Sequence, residues 1–192
     1  KIKEVEGKYA LAVAYFSASK LATKIKSIMA YKHQVDQELE GIVERIEIKK
    51  HIRYTQVQKE AIVTALASSI SVITGGPGTG KTTIIDGILE AYLTMHKLSR
   101  DDHEVQELIA LMAPTGRAAK RMRDVLSFPA KTIHSTLGYS FDGSFGFNQF
   151  SPLPQKLIII DEASMIDIFL ANKLFDAIQE DTQVIIVGDV DQ

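Results

Sequence analysis

The segment from Gly75 to Thr82 constrains the possible fold more than any other part of this sequence. It reads Gly-Gly-Pro-Gly-Thr-Gly-Lys-Thr, which fits the pattern G-x-x-x-x-G-K-S/T. A short β-branched run from Ile70 to Thr74 precedes it, and helical periodicity from Thr83 to Met95 follows it. A strand, a glycine-rich turn and a helix in this order predict a loop whose backbone N–H groups close on phosphate oxygens.

The residue types in this loop predict a site for a nucleotide and magnesium. Lys81 supplies a positive charge for the β and γ phosphates of ATP, and the Thr82 hydroxyl is placed to bind Mg²⁺. The predicted nucleotide-binding residues of this segment are Gly75, Gly76, Pro77, Gly78, Thr79, Gly80, Lys81, Thr82 and Thr83.

Two further segments put polar residues directly after an apolar strand. Asp161 and Glu162 follow Leu157 to Ile160, and we expect Asp161 to hold the magnesium ion and Glu162 to act as a general base for water. An acidic pair at a strand end can also simply cap the next helix. Beside a phosphate loop we favour the catalytic interpretation, and the adjacent glutamate favours an ATPase over a GTPase or small kinase.

The third segment runs from Val184 into Gly188-Asp189-Val190-Asp191-Gln192. If its strand lies beside the strand of the phosphate loop, Gln192 approaches the γ phosphate and senses whether it is present. We therefore count Gln192 among the predicted catalytic residues.

The chain past His51 alternates predicted strands with predicted helices. The strands are expected near 70–74, 107–113, 156–160 and 183–187. Such alternation predicts an α/β fold in which helices cover a parallel sheet, and right-handed crossovers place the carboxyl ends of all strands at one edge.

The amino-terminal part has a different pattern. Apolar residues recur at helical spacing from Tyr9 to Tyr31 and again from Val35 to Ile46, with Asp36 as the expected cap of the second helix. We predict a small helical domain at 1–52 before an α/β domain at 53–192. A membrane-surface role for these helices is the weaker alternative, because their charges are mixed.

Composition excludes several classes of protein. Cysteine is absent, so disulfides and cysteine-based zinc sites are excluded, and the composition fits a reducing cytoplasm. No stretch approaches the ~20 apolar residues of a membrane helix, so we expect no membrane partner. Because Lys1 is not an initiator methionine and Gln192 directly follows a predicted strand, we expect a piece of a longer protein.

Two polar segments read as loops. Residues 98–106 are predicted to form a surface loop, and residues 138–154 a hairpin or irregular excursion that contains Tyr139, Phe141, Phe145, Phe147 and Phe150. These aromatic side chains either fix the excursion onto the domain, which we favour, or stack on nucleic-acid bases.

Together with the three strand-end segments, three more stretches resemble the RecD-like DNA helicases of superfamily 1B, the exodeoxyribonuclease V alpha-subunit family. Tyr54 to Ala61 is similar to the family's Q motif, in which Gln58 would read the adenine edge. Ala113 to Ala119 is similar to motif Ia, and Lys131 to Gly138 is similar to the Thr-Ile-His segment that follows it.

The resemblance implies a RecA-like P-loop NTPase domain, the first of two motor domains, whose second domain and arginine finger are absent from this sequence. It implies ATP hydrolysis coupled to 5′ to 3′ movement on single-stranded DNA in recombination and repair, for some members inside a helicase and nuclease complex. The implied DNA-binding residues are Pro114, Thr115, Gly116, Arg117 and His134. The alternatives are another superfamily 1B motor, such as a conjugative relaxase helicase or an RNA-directed member, and a nucleotide-binding regulatory module that does not translocate.

Overall fold

A computed structural model describes residues 2–5, 7–34 and 36–189 of the chain. Within these residues the chain forms seven strands and eight α-helices. The predicted positions Val35 and Gln192 lie outside these residues. The strands are β1 (Ile2–Val5), β2 (Lys8–Leu11), β3 (Ile70–Thr74), β4 (Ile109–Ala113), β5 (Ala130–Thr132), β6 (Leu157–Ile160) and β7 (Gln183–Gly188). The helices are α1 (Ala12–Ala30), α2 (Leu39–Lys50), α3 (Gln56–Ala67), α4 (Lys81–Met95), α5 (His103–Leu108), α6 (Gly116–Leu126), α7 (Ile133–Thr136) and α8 (Ile168–Ala177).

Strands β3 to β7 form one parallel sheet in the spatial order β3-β7-β6-β4-β5. The predicted α/β fold class is therefore confirmed, and the chain has the architecture of a RecA-like domain. The strand that precedes the glycine-rich loop pairs directly with β7, as the prediction for Gln192 requires. Every residue of β6 is buried, which explains its uninterrupted apolar sequence.

Helices cover both faces of this sheet and build one hydrophobic core on each side. The first core joins α2, α3, α4 and α6 to alternate strand residues such as Leu157 and Ile159. The second joins α1 and α8 to the intervening residues, such as Ile158 and Ile160. Successive side chains of a strand point to opposite faces of the sheet, so neighbouring residues of β6 enter different cores.

The amino-terminal helices share these cores with the sheet. Ile28 of α1 is fully buried in the second core, and Lys20 pairs with Asp176 of α8 at 2.9 Å. The buried face of α2 belongs to the first core. The division at residue 52 stays a prediction, and the structure adds that side chains on either side of it pack together. No helix in the described part of the chain has the length and apolar character to cross a membrane.

Several local predictions were wrong. The first predicted helix begins at Ala12 because β1 and β2 form an antiparallel hairpin, in which Gly7 has φ +74°. Asp36 does not cap α2: Glu38 is the N-cap, and Asp36 Oδ1 accepts from the Glu38 N–H at 2.8 Å in a turn before the helix. The predicted strand 107–113 loses its first two residues to α5.

The predicted surface loop 98–106 lies at the surface, as expected, but it is also tied to the body of the protein. Its end forms part of α5, because Val105 is fully buried there. Its Arg100 donates to Glu90 and Asp86 of α4 at 2.5 Å each, and to the carbonyl oxygen of Leu126 at the end of α6. Lys50 of α2 also pairs with Asp86 at 2.5 Å. A polar segment thus supplies a partner for the buried Glu90 and the partly buried Asp86, because a carboxylate removed from water needs a compensating charge.

The excursion 138–154 is irregular, as predicted, and contains two isolated antiparallel bridges, Tyr139 with Phe145 and Asn148 with Ser151. Phe145 and Phe147 pack against the second core, whereas Phe141 and Phe150 are exposed. Two of the aromatic side chains therefore fix the excursion onto the domain.

Helices α3 and α4 approach closely at Gly87. A Cβ atom at this position would lie 2.5 Å from Ile62 Cδ1 and 2.8 Å from the Tyr54 hydroxyl oxygen. The same burial, together with the nearby Asp86 and Glu90, raises the pKa of Tyr54 to about 12. Glycine is needed here to let the two helices meet.

We predict that Gly87→Ala destabilises the protein by roughly 1–2 kcal/mol, because overpacking at this contact outweighs the better helix propensity of alanine. Gly41→Ala in α2 is the matched control, since the nearest atom to its Cβ would be Arg45 Nη1 at 3.6 Å. It should stabilise the protein by roughly 0.5–1 kcal/mol. Urea unfolding measures both, and equal stability of the two variants would contradict the close approach.

Candidate active site

The carboxyl ends of the parallel strands put polar segments side by side along one edge of the sheet. In spatial order, β3 leads into the glycine-rich loop, β7 into Asp189, β6 into Asp161, β4 into Pro114 and β5 into the start of α7. The predicted nucleotide-binding and acidic residues therefore lie at one end of this edge, and the predicted DNA-binding residues lie at the other.

The glycine-rich loop is tightly folded and ends at the first turn of α4. Gly78 and Gly80 have φ values of +76° and +83°, in the left-handed region that favours glycine. A Cβ at Gly75 would lie 2.6 Å from Thr79 Oγ1, and one at Gly80 would lie 2.5 Å from Gln58 Nε2. By contrast, the Cβ positions of Gly76 and Gly78 are open. The loop is thus packed on one side and accessible on the other.

Lys81 points back over the loop. Its ammonium group donates to the carbonyl oxygens of Gly75 at 2.6 Å and Gly76 at 3.0 Å, and it forms an ion pair with Asp189 Oδ1. Asp189 comes from the neighbouring strand β7, so the pair depends directly on the strand order. The lysine is held in position by oxygen atoms that an incoming phosphate would replace.

The acidic pair at the end of β6 faces the same space. The side chain of Asp161 is 9% exposed, and its Oδ1 accepts from the Glu162 N–H at 2.9 Å. Glu162 has φ +53°, an uncommon conformation for a residue with a side chain. Arg121 of α6 approaches both acids, with Nη2 at 3.0 Å from Glu162 Oε1 and 3.8 Å from Asp161 Oδ2.

These groups line one cavity of about 490 Å³. The glycine-rich loop from Pro77 to Thr82 forms one wall, and Asp161, Glu162, Asp189 and Arg121 face it. The structure therefore brings together Lys81, Thr82, Asp161 and Glu162, four residues that the sequence predicts to act on a nucleotide. Gln192 lies outside the described residues.

Gln58 lies next to the glycine-rich loop at the start of α3. Its Oε1 accepts from the Thr55 N–H at 3.0 Å in a capping box, and its Nε2 is 3.5 Å from the Thr79 carbonyl oxygen. Thr83 is exposed on the first turn of α4. The adenine-reading role of Gln58 stays a prediction, and so does nucleotide binding by Thr83.

A second, more open cavity of about 870 Å³ adjoins the first. We call it the basic groove, and it is lined by Thr115, Arg117, Ala118, Lys120, Arg121, Asp124, Val125, Glu162 and Met165. Thr115 caps α6 through its Oγ1, which accepts from the Ala118 N–H at 3.2 Å. Pro114 and Gly116 flank this cap.

His134 follows β5, the next strand of the sheet after β4. It is exposed, and its ring lies 5.3 Å from that of Tyr139 and 6.1 Å from that of Phe145. It does not line the basic groove as described above. Its place in a nucleic-acid interface stays a prediction.

Comparison with known proteins identifies the family. The sequence profile of a family described as "AAA domain" matches residues 58–192, which is more than half of the chain. The chain belongs to this family. The match covers the glycine-rich loop, the acidic pair and the whole five-stranded sheet of this AAA domain.

Curated relatives bear out the RecD-like resemblance. The chain is 36% identical over 157 residues to the RecBCD enzyme subunit RecD of Haemophilus influenzae, an alignment that covers 70% of the chain and 23% of that protein. It is 34% identical over 145 residues to the ATP-dependent RecD2 DNA helicase of Deinococcus radiodurans, covering 75% of the chain and 19% of that protein. The chain thus spans about a fifth to a quarter of the length of these relatives.

A solved structure supports the fold. The crystal structure of the Pif1 helicase from Candida albicans matches 73% of this chain and 33% of that chain, with a TM-score of 0.51 and 21% identity. At this identity the likeness shows the fold alone.

Two residues of the nucleotide cavity have no role there in the sequence-based predictions, Asp189 and Arg121. The position of Asp189 at the end of a strand on the shared edge was the available signal. For Arg121 the sequence shows only a basic helix after Thr115, and it is the packing of α6 against the sheet that brings the side chain to Glu162.

We predict that Asp189→Asn strengthens the binding of magnesium-free ATP by roughly threefold to tenfold, because it removes a negative charge that competes with phosphate for Lys81. Titration with a fluorescent ATP analogue in EDTA measures this. Asp181→Asn is the control, since Asp181 pairs with Lys156 at 2.7 Å before β7 begins. Weaker binding by Asp189→Asn alone would show that Asp189 supports the site instead.

Proposed function

We propose that this AAA domain is the ATP-hydrolysing motor part of a DNA helicase that moves along single-stranded DNA. One observation carries the proposal: a single cavity brings Lys81 and Thr82 of the phosphate loop together with Asp161 and Glu162. A site that only binds nucleotide does not require an acid placed to activate water. The printed names of the relatives, a RecBCD subunit and a DNA helicase, support the same function.

The site fits ATP and magnesium. The open space beside Gly76 and Gly78 leaves the loop backbone accessible to phosphate oxygens. Thr82 and Asp161 line the cavity and offer a hydroxyl and a carboxylate, the hard oxygen ligands that Mg²⁺ prefers. When bound, the ion would neutralise charge on the phosphates.

Each of the site residues would then have a separate role. The Lys81 ammonium exchanges its contacts with Gly75, Gly76 and Asp189 for phosphate oxygens, which places the triphosphate at the start of α4. Glu162, whose side chain is 28% exposed, faces the cavity and accepts a hydrogen bond from the attacking water. We also propose that Gln58 recognises adenine beside the loop.

The basic groove is the proposed contact for DNA. The start of α6 offers backbone N–H groups and the Thr115 hydroxyl, and Arg117 and Lys120 add positive charge. Pro114, Gly116 and His134 belong to the same proposed interface. By resemblance we further propose 5′ to 3′ movement, a role in recombination and repair in the cytoplasm, and partners in a helicase and nuclease complex.

The test is steady-state ATP hydrolysis by the full-length protein with and without oligo-dT. We expect oligo-dT to raise turnover many-fold, because a motor couples hydrolysis to strand binding. Glu162→Gln should lower the stimulated turnover by roughly 10²-fold to 10⁴-fold, the usual contribution of a general base, while ATP still binds.

Glu180→Gln, an exposed residue near the opposite edge of the sheet, is the control and should keep the wild-type rate. Turnover that oligo-dT does not change would favour a nucleotide-binding regulatory module over a motor. Full turnover by Glu162→Gln would refute the assignment of the base.

A further inference from the structure

Arg121 lines both of the cavities that the proposed function uses. It faces Lys81 and Asp161 in the cavity of about 490 Å³, and it lies beside Thr115 and Lys120 in the basic groove. Glu162 lines both cavities as well. The contact between Arg121 and Glu162 therefore stands at the boundary between the proposed nucleotide site and the proposed nucleic-acid site.

The Arg121 side chain can leave this contact without disturbing the fold. Its backbone is fixed because the neighbouring Met122 is buried in the first core, but the side chain itself is 61% exposed. Its ion pair with Glu162 is solvated, and such pairs are easily exchanged for another anion. By contrast, Glu162 is held by its backbone, with φ +53° and its N–H bonded to Asp161. The arginine is therefore the partner that can change position without a change of backbone.

The same contact also engages Glu162, the residue proposed as the general base. The guanidinium group lies 3.0 Å from Glu162 Oε1 and 3.8 Å from Asp161 Oδ2, on the side of the acids that faces the cavity. While it stays there, Glu162 Oε1 is engaged by a cation, which weakens the attraction of this carboxylate for a proton of the attacking water.

We propose that the Arg121–Glu162 ion pair slows hydrolysis when no nucleic acid is bound, and that a phosphate of a bound single strand draws Arg121 away. This inference rests on the proposed function. Arg117, Lys120 and Arg121 outnumber Asp124 along the exposed helix side of the groove, so an anion is favoured there. A guanidinium group binds phosphate through two parallel hydrogen bonds, which an exposed pair with one carboxylate oxygen does not match.

The first test measures the binding of a fluorescent oligo-dT to the full-length protein without nucleotide or magnesium. Arg121→Gln should weaken binding and reduce the slope of log affinity against log salt by roughly 0.7, the value for one lost phosphate contact on a single strand. Glu162→Gln should tighten binding by roughly twofold to fivefold, because the competing carboxylate is gone. In the Arg121→Gln background, Glu162→Gln should have no effect.

The second test measures ATP hydrolysis with and without oligo-dT. Arg121→Gln should raise the rate without DNA by roughly twofold to fivefold and bring the ratio of the two rates towards one. Arg123→Gln is the matched control on the same helix. Arg123 donates to the Ala130 carbonyl oxygen at 3.3 Å and lines neither cavity as described above, so it should show the wild-type ratio.

Two results would overturn the proposal. One is additive effects of the two substitutions on oligo-dT affinity, and the other is a lower rate in Arg121→Gln with an unchanged ratio, which would make Arg121 a positioning residue for the nucleotide. Arg121→Lys, which keeps the charge and loses the paired hydrogen bonds, should lie between wild type and Arg121→Gln in both tests. If wild type neither binds oligo-dT nor responds to it, the proposed function itself fails.

Discussion

The parallel pairing of β3 with β7 is the interaction on which the rest of the site depends. It runs in register from Ile70 opposite Val184 to Thr74 opposite Gly188. Both strands therefore end at the same level, and the loop that follows one meets Asp189 at the end of the other. A shift of one residue would move the side chains of β7 from one hydrophobic core to the other. The packing of both cores therefore stabilises this register.

A group of charged side chains on α2, α4 and the 98–106 segment links the helix of the phosphate loop to the helix of the basic groove. Arg100 joins Asp86 and Glu90 on α4 to the last carbonyl group of α6, and Lys50 ties in α2. The helix that begins at the phosphate loop and the helix that lines the groove are thus connected, through the middle of α4 and the last residue of α6. Because the side chains of Asp86 and Glu90 are only 24% and 11% exposed, loss of Arg100 would leave poorly solvated acids.

Motifs that carry their own geometry were predictable from the sequence. The glycine-rich loop specifies a strand before it and a helix after it, and apolar runs ending in Asp161 and Gly188 specify buried strands with a shared edge. What failed were elements too short or too polar to show a pattern. Strand β5 has only the residues Ala130–Thr132, and α5 forms because Val105 enters a core that the local sequence does not reveal.

The residues of the candidate site likewise differ in how far the sequence predicts them. Lys81, Thr82, Asp161 and Glu162 are recognisable because each follows a strand or opens a helix at a fixed spacing. Arg121 is separated from Glu162 by 41 positions in the sequence and reaches it only through tertiary packing. Contacts of this kind connect one function to another, and a linear pattern cannot show them.

The contact at Gly87 has a consequence for how a nucleotide would be selected. There the Ile62 side chain of α3, the helix that carries Gln58, packs directly against the backbone of α4, the helix that carries Lys81. The contact therefore fixes the distance between the residue proposed to meet the base and the residue proposed to meet the phosphates. Under the proposed function, a fixed distance of this kind would select nucleotides by the span from base to phosphates as well as by their hydrogen bonds.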